Sequence, residues 1–145
     1  MRSKEFLTRL DHDRIVAAIA AAEAKTSGEI RLYIQRGEIA GDPLTVAQRK
    51  FHELKMHKTA GRNSILIFVA PRAQKFAVVG DEAVHQKCGD EFWRRLVDEM
   101  QAHFKKENFT EALIHGIQNA GDLLARFFPR QASDKNELPN TIIEE

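Results

Sequence analysis

The segment 64–80 reads SILIFVAPRAQKFAVVG and decides the fold. Its first part, SILIFVA, is a continuous apolar run of strand length, which is typical of a central strand covered on both faces. Pro71, Arg72, Ala73 and Gln74 predict a turn, and residues 76–79 predict a second short strand that ends at Gly80. We expect this turn to pair the two strands antiparallel.

Upstream of this segment, residues 29–35 alternate between polar and apolar side chains, which predicts a strand with one better-buried face. Asp42 followed by Pro43 is a good helix start, and the helix should continue to about Met56. A strand–helix–strand crossover of this length favours a right-handed parallel pair. The pattern therefore predicts a mixed sheet with strand 64–70 at its centre.

Helices are predicted on either side of the strands, at residues 11–26, 91–105 and 108–128. The element order α-β-α-β-β-α-α indicates an α/β fold, a three-layer α/β/α sandwich around a small mixed β-sheet. The predicted core consists of Leu32, Ile67, Phe68, Val78, Trp93, Leu96, Ile117 and Leu124.

The chain of 145 residues has the length of one domain, which we assign to residues 1–128. Residues 129–145, PRQASDKNELPNTIIEE, are polar, contain two prolines and have no apolar periodicity. This composition predicts a flexible polar tail.

Composition also bears on compartment and partners. Cys88 is the only cysteine, so an internal disulfide is impossible, and neither a signal peptide nor an apolar run of membrane-spanning length is evident. A cytoplasmic location without a membrane span is expected. The net charge is +1, and the densest basic stretch, at 49–62, is not interleaved with Phe, Tyr or Trp apart from Phe51. We interpret it as a solvated helix face, and no nucleic acid is expected as a partner.

Two residue spacings resemble catalytic motifs but do not satisfy their chemical or geometric requirements. Cys88 and Arg94 fit a bare C-x5-R phosphatase loop, but Asp90 and Glu91 would repel a phosphate inside it. His52 and His57 resemble a zinc motif, but on a regular helix five residues rotate the second ring away by roughly 140°. Neither spacing predicts a catalytic centre.

Strand direction, by contrast, predicts a site. If strands one and two are parallel and strand three is antiparallel, Glu29 and Asp81 lie at the same sheet edge. Their oxygens are the ligands that Mg²⁺ or Ca²⁺ prefers, and Arg62, Asn63 and His85 could bind an anionic group beside them. The alternative is structural, in which Asp81 caps a helical turn, Glu29 is solvated and Asn63 closes a turn.

Several ordered segments carry a family resemblance: AEAKTSGEIRLYI at 22–34, FHELKM at 51–56, RNSILIFVA at 62–70, FAVVGD at 76–81, FW at 92–93 and FFP at 127–129. Together they resemble the TPM domain family, which is named for a thylakoid-lumen protein, a photosystem II repair factor and a nematode receptor modulator. The resemblance covers about residues 11–129, and this chain looks like a short form without signal peptide or membrane anchor.

The resemblance implies an α/β/α sandwich, and it implies acid phosphatase-like activity in some members and divalent-cation binding in others. Asp81 departs from the exported branch, which tends to have an aromatic residue there. Two functional classes stay open for this chain. The first is a module that binds an unknown protein or small anionic ligand, with either Mg²⁺ or Ca²⁺ as the cofactor or no cofactor at all. The alternative is a weak metal-assisted phosphomonoesterase. Without a recognisable nucleophile, the sequence favours the binding module.

Overall fold

The computed structural model of the protein describes residues 3–59, 61–130 and 142–144. Within these residues the helices are α1 Ser3–Thr8, α2 His12–Glu23, α3 Pro43–Glu53, α4 Glu82–Lys105 and α5 Phe109–Phe127, with a 3₁₀ turn at Met56–Lys58. The strands are β1 Ile30–Ile34, β2 Ile65–Ala70, β3 Lys75–Gly80 and β4 Ile142–Glu144.

In the described part of the chain these strands form one mixed sheet in the order β3-β2-β1-β4. Strand β1 is parallel to both β2 and β4, and β2 is antiparallel to β3. Helices α1, α2, α4 and α5 pack against one face, and α3 packs against the other. The predicted three-layer α/β/α sandwich with a small mixed sheet is therefore confirmed, and β2 occupies its interior.

Strand β2 is buried along its whole length because helices cover both faces of the sheet. Since successive side chains of a strand point to opposite faces, Ile67 joins the larger core and Phe68 joins the smaller one under α3. Of the residues predicted for the core, all are buried except Trp93, which is partly exposed. Its ring lies over Gly80 at the end of β3, where a Cβ would come within 2.8 Å of the indole.

The structure differs from the sequence-based prediction at the C-terminal tail. Ile142–Glu144 adds a fourth strand beside β1, and Pro129 forms a bridge with Thr26. Within the segment predicted as a flexible tail, residues 142–144 therefore form a short strand at the edge of the sheet, and its flexibility stays a prediction. Residues 131–141 and 145 of the predicted tail lie outside the described residues.

The predicted element order also lacks two helical segments. The short helix α1 precedes the predicted first helix, and α4 begins at Glu82, nine residues before the predicted start. The cause in α4 is Gly89, which has φ 72° and ψ 170° and interrupts the helix. Because this break shifts the apolar periodicity, only the part after Gly89 is recognisable in the sequence.

Helices α2 and α5 approach each other closely at Gly121, and this contact fixes the end of α2 that leads into β1. A Cβ at Gly121 would lie 2.6 Å from the Ala22 Cβ and 3.2 Å from its Cα. We expect Gly121→Ala to lower the free energy of unfolding by about 1–2 kcal/mol, even though alanine favours helix. Urea denaturation followed by Trp93 fluorescence measures this change. Gly37→Ala is the control, since a Cβ there meets nothing within 4 Å. A Gly121→Ala chain as stable as the parent would contradict the close contact.

Candidate functional site

Glu29, Ser64 and Asp81 form one row across the sheet. The pairing of Ile30 with Ile65 and of Ile65 with Gly80 continues for one more residue, where Ile65 N–H donates to Glu29 O and Asp81 N–H donates to Ser64 O at 2.8 and 2.9 Å. Both carboxylate residues are buried, at 4% exposure each. They stand two strands apart, roughly 10 Å between Cα atoms. We call this end of the sheet, residues 27–29, 62–64 and 80–82, the Asp81 edge.

Arg62 is the counter-ion of Asp81. Its Nε and Nη2 donate to the two carboxylate oxygens of Asp81, each at 3.0 Å, and its Nη1 lies 3.5 Å from the Glu82 carboxylate. The hydrogen bonds that Arg62 donates to Asp81 raise the pKa of the guanidinium above its usual value. This two-point contact fixes the orientation of both side chains.

The backbone at Arg62 is unusual as well. Its φ is 51°, in the left-handed region that residues with a side chain rarely adopt. Ala83 N–H donates to Arg62 O at 3.1 Å, so the first turn of α4 holds this conformation. Such conformations persist only where the surroundings support them, and they concentrate at functional sites.

Asp81 has a structural role in addition. It is the N-cap of α4, where its Oδ1 accepts from Glu82 N–H at 2.7 Å. The helix cap named as the structural alternative for Asp81 is therefore present. It coexists with the row of carboxylates, because one oxygen accepts from both Arg62 and Glu82.

Glu29 lies beside two other charged side chains. Arg31 is within electrostatic range, where burial lowers the pKa of its guanidinium and the Glu29 charge opposes that shift. Glu23, at the end of α2, accepts from Ile30 N–H at 2.8 Å and is 6% exposed. Burial raises the pKa of Glu23 to about 7, with the nearby Glu29 charge adding to the shift. The structural alternative, in which Glu29 is solvated, does not hold, since the residue is buried.

The other two predicted ligand residues are placed differently. The Asn63 amide is buried and donates to Ser27 Oγ at 3.1 Å. His85 lies in the first turns of α4, where its backbone N–H donates to Asp81 O and its exposed ring packs 5.6 Å from the Trp93 ring. The edge therefore brings Arg62 into direct contact with Asp81, and it holds Asn63 and His85 next to the row rather than in it.

A histidine pair that the sequence pattern did not predict lies next to this edge. The rings of His52 and His57 are 4.6 Å apart, whereas regular helix geometry predicted that they diverge. The reason is Lys55, whose φ of 59° ends the helical path and folds the chain back. Burial lowers the pKa of His57, with His52 and Lys58 adding to the shift. A glycine-free chain reversal of this kind leaves no signal in the sequence pattern.

Cys88 is half-buried next to the break in α4 at Gly89. Burial raises the pKa of its thiol, whereas a nucleophilic cysteine needs a lowered pKa.

Within residues 3–59, 61–130 and 142–144, no group of three or more His, Cys, Asp or Glu side chains is placed to hold a metal ion. A cation at the Asp81 edge would therefore have few protein ligands, and water would complete its coordination.

The comparisons with known proteins agree with the fold. The family model of the TPM domain matches residues 1–123. Among solved structures, the chain is similar to the NMR structure of BA42 protein from the psychrophilic bacterium Bizionia argentinensis sp. nov., at 39% identity and a TM-score of 0.85. That alignment covers 92% of each chain. No curated protein matches the chain. In the part of the chain that the structure describes, no helix combines the length and apolar character needed to cross a membrane.

Proposed function

The chain belongs to the TPM domain family, and from that premise we propose that it is a cytoplasmic binding module that acts through its Asp81 edge. Glu29 and Asp81 hold a Mg²⁺ or Ca²⁺ ion together with water, and Arg62, Asn63 and His85 face an anionic group on a ligand or protein partner. The observation that carries the proposal is the row of two buried carboxylates, in which Arg62 binds both oxygens of Asp81.

Arg62 links the binding of a cation at this site to the binding of an anionic ligand. A guanidinium and a cation cannot both occupy the oxygens of Asp81, so cation binding displaces Arg62 from its partner. Arg62 is 44% exposed at its side chain, and once released it presents its donors to solvent, where a carboxylate or phosphate group can bind in two-point fashion. In this scheme the cation and the anionic ligand bind cooperatively, because each favours the released arginine.

Substitution of Arg62 tests whether its guanidinium competes with a cation for the Asp81 carboxylate. We expect Arg62→Gln to tighten Mg²⁺ or Ca²⁺ binding about fivefold, because an ion pair worth roughly 1 kcal/mol no longer competes. Titration of the labelled chain by NMR measures the affinity, with shifts expected first at residues 28–30, Asn63 and Asp81. Asp81→Asn keeps the helix cap but removes the charge, and it should abolish the site-specific shifts.

Glu91→Gln is the matched control, since Glu91 is an exposed carboxylate of α4 that lies outside the Asp81 edge. It should leave the cation affinity within about twofold of the parent. Equal cation affinity in the parent and in Asp81→Asn, or shifts confined to residues outside the Asp81 edge, would refute the cation site.

The phosphomonoesterase alternative has a separate readout. Purified chain is incubated with 4-nitrophenyl phosphate with and without Mg²⁺. The binding module predicts no turnover above that of a mock preparation in either condition. Mg²⁺-dependent turnover that disappears in Asp81→Asn would replace the binding module by the enzyme.

A further inference from the structure

A cavity of about 630 Å³ lies at the end of the sheet opposite the Asp81 edge. Val69 and Pro71, at the carboxyl end of β2, form part of its wall, and Phe76 at the start of β3 continues it. In open α/β sheets, ligands bind preferentially outside the carboxyl ends of the parallel strands. The volume is in the range of sites that enclose small organic molecules.

Four phenylalanines from four different elements line the cavity. They are Phe6 of α1, Phe76 of β3, Phe104 of α4 and Phe109 of α5. The ring centroids of Phe6 and Phe109, and those of Phe76 and Phe104, are 4.9 Å apart. This continuous aromatic wall suits an apolar chain or ring. We call the space the phenylalanine cavity.

The charges around the phenylalanine cavity are unbalanced. Lys75 and Lys105 line it and are exposed, and within the described residues neither forms an ion pair. The acidic residue in the lining, Glu107, is already paired with Arg9 at 3.2 Å. The lining therefore carries two lysines without an ion-pair partner among the described residues, beside one carboxylate that Arg9 already binds.

We infer that the phenylalanine cavity binds a small amphipathic carboxylate, with the apolar body against the four rings and the carboxylate between Lys75 and Lys105. Charge complementarity selects this ligand class: an apolar cation would be repelled, and a purely polar anion would leave the aromatic wall unused. The site is independent of the Asp81 edge, which lies at the other end of the strands.

Dodecanoate is the probe, titrated into the full labelled chain and followed by NMR. We expect saturable shifts at Val69, Phe76 and Phe104, with a dissociation constant below about 1 mM. Dodecyltrimethylammonium, which carries a chain of equal length and the opposite charge, should bind roughly tenfold more weakly.

Variants at exposed positions test the site without disturbing the core. The double variant Lys75→Glu with Lys105→Glu should bind dodecanoate roughly tenfold more weakly and favour dodecyltrimethylammonium. Gln101→Trp places an indole in the cavity and should abolish binding. Lys106→Glu, at an exposed lysine between Lys105 and Glu107 that does not line the cavity, is the matched control and should change the affinity by less than about twofold.

Four results would each overturn the inference. These are equal affinity for the two amphiphiles, an unchanged affinity in Gln101→Trp, an absence of saturable shifts over the millimolar range, and shifts concentrated away from the cavity. Cavity shifts that follow protein concentration without any probe would also overturn it, because a second copy of the chain would then cover the phenylalanine wall.

Discussion

Asp81→Ala should lower the free energy of unfolding by about 2–3 kcal/mol. The alanine removes the N-cap of α4, which is worth roughly 1 kcal/mol. It also removes two charge-assisted hydrogen bonds from Arg62, whose net contribution of about 1–2 kcal/mol is reduced because the guanidinium is partly solvated. Urea denaturation measures the loss, and Trp93 reports it directly, since its ring lies over Gly80 next to the substituted residue.

The matched variant for this measurement is Asp81→Asn. Asparagine is an equally good N-cap and still accepts a hydrogen bond from Arg62, so we expect it to lose only about 1 kcal/mol. Asp81→Ala with an unchanged denaturation midpoint would contradict the double role of this side chain. Because the two variants differ in stability, only one of them is suitable for tests of function. Loss of binding in Asp81→Ala combines unfolding with loss of charge, whereas Asp81→Asn isolates the charge.

The alignment of Glu29 with Asp81 could be predicted from the sequence because strand direction determines it. A crossover helix makes β1 and β2 parallel, a short turn makes β3 antiparallel, and the ends of the strands then coincide. Hydrophobic runs as clear as SILIFVA leave little freedom in assigning those strands. The edge of the sheet therefore follows from local patterns alone.

The contacts made at that edge could not be predicted in the same way. The Arg62–Asp81 pair depends on a left-handed backbone at Arg62, and the His52–His57 contact depends on another at Lys55. Neither position is a glycine, so no residue type marks the reversal in the sequence. The side chains of these short segments are positioned by tertiary packing, which outweighs local preference.

The phenylalanine cavity and the fourth strand were missed for a related reason. The cavity is lined by rings from α1, β3, α4 and α5, which are far apart in the sequence. Strand β4 pairs with β1 across more than a hundred residues, and its two isoleucines stand in a polar segment. Long-range pairing of this kind has no periodic signature, because its energy comes from a surface that only the folded chain provides.

Glu23 makes the stability of the fold depend on pH. Burial raises its pKa in the folded chain to about 7, against the ordinary value of 4.5. Between these two values the folded state holds a proton that the unfolded state releases, so stability falls as pH rises from about 4.5 to about 7. The effect is at most about 3 kcal/mol of stability, which is present below pH 4.5 and lost above pH 7. The neighbouring Glu29 charge increases this loss, and Arg130 opposes it.

We therefore expect Glu23→Gln to stabilise the chain by up to about 3 kcal/mol more at pH 8 than at pH 4. The glutamine carbonyl still accepts from Ile30 N–H, which Glu23 Oε2 accepts at 2.8 Å in the parent, and no proton is then exchanged on unfolding. Urea denaturation of the variant and of the parent chain at a series of pH values measures this difference, and the comparison cancels the contributions of the other titrating groups.

Glu91→Gln is the control, because that carboxylate is exposed and its substitution should shift stability by less than about 0.5 kcal/mol at any pH. A constant difference between Glu23→Gln and the parent across this range would mean that Glu23 titrates alike in the folded and unfolded chain. The carboxylate at the junction of α2 and β1 would then be solvated, and the Asp81 edge would lose the buried acidic neighbour beside Glu29.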